Sequence, residues 1–286
     1  MKKTILILSI ITLIFAGCKK DDVFQKGDIF VNGWNGPVPN EPVNPEDYPD
    51  YPEVYLQKSV LLEDYVGVKC VNCPAAGEIA LQLQEKYHHK VIVLGVHAGS
   101  LAFYPPFNLT TPEGDAWWSF FNFQQNPTGT INRKMINGGY AYDTPMWADA
   151  VAETLQEEAA LEIIPTIEYD EATRNLKVDV TSKFIAELPD TYSLTVCIME
   201  DSIVGMQVTP EGNNSNFLHR HVFRTTMNGA WGEDINTTAI APGDVIAKSY
   251  TAKLNDAYNA DQCYIVAYIS NSDNKEVLQV TEKKIK

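Results

Sequence analysis

Apolar and polar positions change rhythm along the 286 residues, and the change divides the chain. Val60 to Tyr65 is a short, nearly continuous apolar run of strand length. Pro74 to His88 sets Ile79, Leu81, Leu83 and Tyr87 among polar residues and predicts a helix. Lys90 to His97 contains the unbroken run Val91 to Val96, the pattern of a strand covered on both faces. Such a strand implies a parallel sheet with a helical crossover. Residues 98–112, rich in aromatics and prolines, predict a long loop, and 114–122 a short helix. Asn126 to Ile131 predicts a strand or hairpin, and Pro145 to about Glu158 a further helix. Alternating strands and helices over residues 57–160 describe one α/β domain.

After Leu161 the helical period disappears. Short alternating runs recur at Ile163–Tyr169, Leu176–Phe184, Tyr192–Met199, Val222–Met227, Val245–Leu254, Tyr264–Ser270 and Val277–Lys283. Turn-forming groups separate them, among them Leu188-Pro189-Asp190 and Ala241-Pro242-Gly243-Asp244. Short strands with polar turns predict an all-β sandwich over 161–286. Thr209 to Arg220, polar and Asn-rich, predicts a long loop. No internal repeat is visible.

The N-terminus belongs to neither part. Met1-Lys2-Lys3 is basic, and Ile5 to Phe15 is apolar but too short to span a bilayer. The run ends Phe15-Ala16-Gly17-Cys18, which resembles a bacterial lipobox. That resemblance implies removal of residues 1–17 and acylation of Cys18, with enough acyl chains for stable attachment to a membrane. The alternative is an ordinary secretory signal whose Cys18 pairs elsewhere. Lys19-Lys20-Asp21-Asp22 resembles the charged signal that sends lipoproteins of Bacteroides-type bacteria to the cell surface. Six prolines between residues 36 and 52 rule out a helix or central strand, so residues 18–56 read as a lipidated, semi-rigid tether.

The formal charge is −15, and loss of the two lysines in residues 1–17 takes it to −17. A body this acidic lacks the basic patch that nucleic acid or anionic lipid requires. With Cys18 acylated, Cys70, Cys73, Cys197 and Cys263 remain. Beyond the inner membrane no glutathione pool keeps such thiols reduced.

The chemistry concentrates at Cys70-Val71-Asn72-Cys73. A C-x-x-C between a strand and a helix places the first sulfur at the positive end of the helix, which stabilises the nucleophilic thiolate. The second cysteine is close enough to close a disulfide or resolve a mixed one. The pair is either exchange-competent, with Cys70 as nucleophile and Lys69 beside it, or a static disulfide. Its ring is small, so the loop-entropy gain is only about 2 kcal/mol. No second C-x-x-C or suitably spaced histidine pair completes a zinc site. His219 and His221 are either metal ligands or hydrogen-bonded loop residues. His97 ends a strand and is either near the active face or, more commonly for such a residue, a packed core histidine. Cys197 and Cys263 lie in separate strands, with pairing open. Trp117, Trp118, Phe120, Phe121 and Phe123 suit core packing better than a peptide groove.

Several of these positions together resemble a thioredoxin-like fold. Asp64, six residues before Cys70, stands where such folds bury a carboxylate that takes the proton of the resolving cysteine. Pro127-Thr128 stands where they place a cis-proline beside the redox pair. The wider set resembles one family: Leu62 to Gly67, Lys69 to Pro74, Asn126-Pro127-Thr128 with Ile131-Asn132-Arg133, His219 to Arg224, and Asn228 to Glu233. This is the Bacteroides-type outer-membrane lipoprotein family named after a twenty-eight-kilodalton outer membrane protein. The resemblance implies a thioredoxin-like domain followed by an immunoglobulin-like sandwich, anchored by lipid in the outer membrane. It implies no cofactor or metal. Lys69 and Pro74 depart from working thioredoxins, which carry tryptophan before the first cysteine and proline inside the pair. Two functions follow. One is thiol–disulfide exchange on envelope proteins through Cys70, Cys73, Asp64 and Pro127. The other is a non-enzymatic surface module that binds a polypeptide or glycan and keeps a structural disulfide.

Overall fold

A computed structural model describes residues 57–88 and 90–286. The signal-like residues 1–17, Cys18 and the proline-rich 18–56 lie outside the described residues.

The first half is built as the hydrophobic pattern requires. Strand β1 (Val60–Val66), helix α1 (Cys73–Lys86) and strand β2 (Val91–His97) form a crossover unit, with the two strands parallel and in register from Val60–Val91 to Val66–His97. Both strands are buried almost throughout, as their unbroken apolar runs demand. Pro74 sits in the first turn of α1, where its missing N–H costs nothing. Helix α2 (Pro112–Phe120) starts at Thr111, whose hydroxyl accepts the Gly114 N–H at 3.0 Å. Strand β3 (Thr128–Ile131) pairs antiparallel with the free edge of β1. A short 3₁₀ turn (Thr144–Met146) leads into α3 (Trp147–Thr154), so the helix expected to run to Glu158 ends a turn earlier.

The second half is all strand apart from one 3₁₀ turn at Ala260–Gln262. In chain order the strands are β4 (Leu161–Asp170), β5 (Asn175–Phe184), β6 (Tyr192–Glu200), β7 (Ile203–Thr209), β8 (Gly212–His219), β9 (Val222–Thr226), β10 (Glu233–Asp234), β11 (Val245–Lys253), β12 (Cys263–Asn271) and β13 (Val277–Lys284). One expectation is corrected: Thr209–Arg220 is not a long loop. Gly212–His219 pairs antiparallel with Ile203–Thr209 as a hairpin that stands apart from the two larger sheets. Its residues 212–216 are all exposed, so no apolar face marks the strand, and backbone pairing holds it.

The chain belongs to a β-rich fold whose main sheet crosses from one half to the other. Its order is β13-β12-β6-β9-β2-β1-β3, with β10 beside β6. The join is parallel at Gly95–Val222, where the Gly95 N–H donates to the His221 carbonyl at 2.7 Å. A second sheet, β11-β5-β4, packs on β6 and β12 around Leu194, Val196, Ile198, Ile265 and Ala267. The other face of β6 and β12 looks into a second core, with Cys197, Met199, Val266 and Tyr268 against Leu61, Tyr65, Ile92 and Leu94 of β1 and β2. For these strands to meet, the main sheet must curl. Its far edge returns to the start: the Val277 N–H donates to the Asn132 carbonyl at 2.8 Å, and the Ser59 N–H to Gln279 Oε1 at 2.8 Å. A third core lies between α1, α3 and the outer face of β1 and β2.

Candidate functional site

The end of β1 carries the chain into the turn Gly67–Asn72 and then α1, whose first residue is Cys73. Cys70 and Cys73 form a disulfide with a Cα–Cα distance of 5.4 Å. The turn is held from within, because Cys70 N–H donates to the Gly67 carbonyl (2.9 Å) and Cys73 N–H to the Cys70 carbonyl (3.3 Å). Lys69 N–H donates to the Leu101 carbonyl at 2.9 Å, which ties the turn to the aromatic loop. The cysteines are only 3% and 5% exposed, whereas Val71 between them is 41% exposed.

Asp64 is on the same face of β1 as Leu62, the face covered by α1 and α3, and is fully buried. Its strand neighbours are both glycines, Gly95 and Gly129. The Trp147 ring takes up the side-chain space of Gly129, where an added Cβ would stand 2.8 Å from it. Asp64 Oδ1 has no hydrogen-bond partner, and burial pushes its carboxyl up to about 8. The group is therefore protonated at neutral pH.

The Asn126–Pro127 peptide bond is cis. The Asn126 amide donates to the carbonyls of Tyr65 (3.1 Å) and Ala98 (3.2 Å), which fixes Pro127 beside the end of β1. Thr128, the next residue, stands opposite Tyr65.

The remaining candidates go elsewhere. Cys197 and Cys263 are free and buried, on adjacent strands. Cys263 stands opposite Glu200 and Cys197 opposite Val266, an odd offset of three that puts the thiols in different cores. Burial raises both thiols, Cys263 to about 12, which keeps them inert. His219 and His221 do not converge: His219 Nε2 donates to the Met206 carbonyl (3.2 Å) and His221 Nε2 to Gln84 Oε1 (2.9 Å). Among the described residues no three His, Cys, Asp or Glu side chains gather as a metal site. His97 is buried 5.5 Å from the His219 ring, and burial, with His219 and Arg224 nearby, lowers it to about 3. Trp117, Phe121 and Phe123 are core, while Phe120 is exposed.

Two features were not singled out from the sequence. Glu63 and Arg133, fully buried, form a bidentate ion pair, and Arg133 also donates to Tyr268 Oη at 2.9 Å. Gln207 of β7 reaches the cysteine turn: its side-chain amide donates to the Gly67 (3.2 Å) and Cys70 (2.9 Å) carbonyls. A signal for β7 existed in Ile203-Val204 and Val208-Thr209 followed by Pro210-Glu211-Gly212. Nothing in the sequence says where that strand docks.

The model of the family described as outer membrane protein Omp28 matches residues 114–286, more than half of the chain. The match includes Pro127, Arg133 and Gln207 but starts after the cysteine pair. No curated protein matches the chain. Among solved structures, HBP35 of Porphyromonas gingivalis is similar in fold. The likeness covers 80% of this chain and 76% of that one, at 15% identity and a TM-score of 0.62. A domain of the outer membrane lipoprotein Omp28 from Porphyromonas gingivalis matches 44% of this chain and 88% of its own, at 22% identity and a TM-score of 0.32. No helix among the described residues is long and apolar enough to cross a membrane. The family match over more than half its length decides the affiliation: the chain belongs to the Omp28 family of outer membrane proteins, and its place is at the outer membrane.

Proposed function

We propose that the protein is a lipid-anchored envelope protein that exchanges disulfides with other proteins through Cys70 and Cys73. In this reading residues 57–160 are a thioredoxin-like part and residues 161–286 an immunoglobulin-like sandwich. Residues 1–17 are removed, Cys18 is acylated, and residues 18–56 hold the body off the membrane. The observation that carries the exchange reading is the Cys70–Cys73 disulfide, which joins the turn after β1 to the first residue of α1, together with the buried Asp64 of β1.

The step oxidises a substrate dithiol. A substrate thiolate attacks Cys70 Sγ, the S–S bond breaks, and Cys73 leaves with the electron pair. The proton for Cys73 comes from Asp64, which carries one at neutral pH. A second substrate thiolate then attacks the substrate sulfur of the mixed disulfide, and Cys70 leaves with the electron pair and takes a proton from solvent. The substrate leaves as a disulfide, two electrons poorer, and the pair remains as a dithiol. Run backwards, Asp64 takes the proton that Cys73 gives up.

The test is single-round oxidation of a reduced, unfolded protein substrate by the detergent-solubilised chain, with a substrate disulfide formed for each Cys70–Cys73 disulfide consumed. Cys70→Ser is expected to abolish oxidation of the substrate, and Cys73→Ser, offered a substrate that carries a disulfide, to be trapped as a mixed disulfide through Cys70. Equal activity in the wild type and Cys70→Ser overturns the reading. A second reading has its own support: the cysteines are 3% and 5% exposed, which suits a structural disulfide in a module that binds a polypeptide or glycan. That reading expects no turnover and partner capture unchanged in Cys70→Ser/Cys73→Ser.

A further inference from the structure

We propose that Gln207 is a positioning residue for the cysteine pair, and that the β7–β8 hairpin sets the balance between its disulfide and dithiol forms. The inference rests on the exchange reading above. Three observations lead to it. The Gln207 side-chain amide donates to the carbonyls of Gly67 and Cys70, and to that of Val208 at 3.1 Å. The first two are the carbonyls that accept the backbone N–H groups of Cys70 and Cys73. One side chain thus joins both hydrogen bonds that space the two sulfurs.

The hairpin is also fastened along its length. Val208 N–H donates to the Val68 carbonyl at 2.8 Å. Gly205 lies flat against the Phe107 ring, where any Cβ would stand 2.1 Å away. His219, at the end of β8, is ringed by His97, Phe107 and Phe217 at 5.0–5.5 Å. Gln207 itself is only 3% exposed, although residues 212–216 of the same hairpin face solvent. A buried glutamine whose amide spends two of its three hydrogen bonds on this turn has a task there.

The physical consequence is a matter of effective concentration. Reduction takes two electrons and two protons from a thiol reductant, which becomes a disulfide, and leaves Cys70 and Cys73 as separate thiols. A turn held rigid keeps those thiols together and favours reclosure. A loose turn lets them separate and favours the dithiol.

The experiment equilibrates the detergent-solubilised full chain with mixtures of reduced and oxidised glutathione, or with dithiothreitol where glutathione is too weak, and counts free thiols by alkylation. Gln207→Met keeps the length of the side chain and removes the donors. The expected result is a tenfold fall in the effective concentration of the pair, an upward shift of about 30 mV. General destabilisation would lower both redox forms alike and leave this constant unmoved. If Gln207→Met does not fold, Gln207→Asn carries the same expectation, because the amide is withdrawn by one methylene. A folded variant with the wild-type constant overturns the role of Gln207 and leaves the exchange reading standing. A wild-type disulfide that resists every thiol while folded overturns the exchange reading itself, and this inference with it.

Discussion

Asp64 shows how much a single residue owes to its neighbours. Its carboxyl is raised to about 8 by burial, with Gly95 and Gly129 as its strand neighbours and no hydrogen-bond partner for Oδ1. The unfolded chain loses that proton near the ordinary value of 3.8. Between these limits the folded state holds a proton that the unfolded state has released. Stability from this group is therefore complete below pH 3.8 and is lost as pH rises through 8. Asp64→Asn, which cannot ionise, should be more stable than the wild type, with the gap widening from pH 4 to 8 and reaching at most about 5 kcal/mol. Urea unfolding of both proteins across that range measures it, and parallel curves would show that Asp64 stays ionised in the folded protein. The acid and its place in the strand were legible in the sequence. The resemblance also implied its burial, but not the glycines 31 and 65 positions further along the chain that stand beside it.

At the scale of elements, the hairpin is the piece that pattern reading lost. Residues 212–216 have no buried side chain to betray a strand, and the inward positions Gly205 and Gln207 are a glycine and an amide instead of apolar residues. Gly205→Ala should be informative, because its Cβ would strike the Phe107 ring. The hairpin must then lift or the ring must move, at an expected cost of about 1–3 kcal/mol. Limited proteolysis should cut residues 203–219 faster than in the wild type, and an unchanged cleavage pattern would mean that Phe107 yields and the hairpin stays. Apart from the two-residue β10, the other elements were readable. β1, α1 and β2 are long runs of one period, and β4, β5, β6, β12 and β13 alternate or stay apolar over nine residues or so, enough for burial to dominate local preference.

Across the whole molecule, the two halves are joined in ways that neither half announces. β2 meets β9 in one sheet, and Tyr65 and Leu94 share a core with Val266 and Tyr268. At the centre, Arg133 links Glu63 of β1 with Tyr268 of β12, and its guanidinium lies 4.9–5.8 Å from the rings of Trp117, Phe121, Trp231 and Tyr268. Removing one member leaves a buried charge without its counter-charge. Arg133→Met should destabilise the protein by about 3–5 kcal/mol, and adding Glu63→Gln should recover much of it. Calorimetry of the single and double variants decides this, and additive losses would mean that the two residues act separately.

By itself the sequence determined the order and type of most of the elements, the position of Cys70 and Cys73 between β1 and α1, and the acidic character of the body. Those properties are local: a period, a proline or a count of charges needs only neighbouring residues. Tertiary structure alone decided that one sheet spans both halves, that Cys197 and Cys263 face different cores, that Glu63 finds Arg133, and that Gln207 reaches the cysteine turn. Each of these depends on contacts between residues far apart in the chain, where sheet curl, register and burial select the partner, and no local pattern encodes the choice.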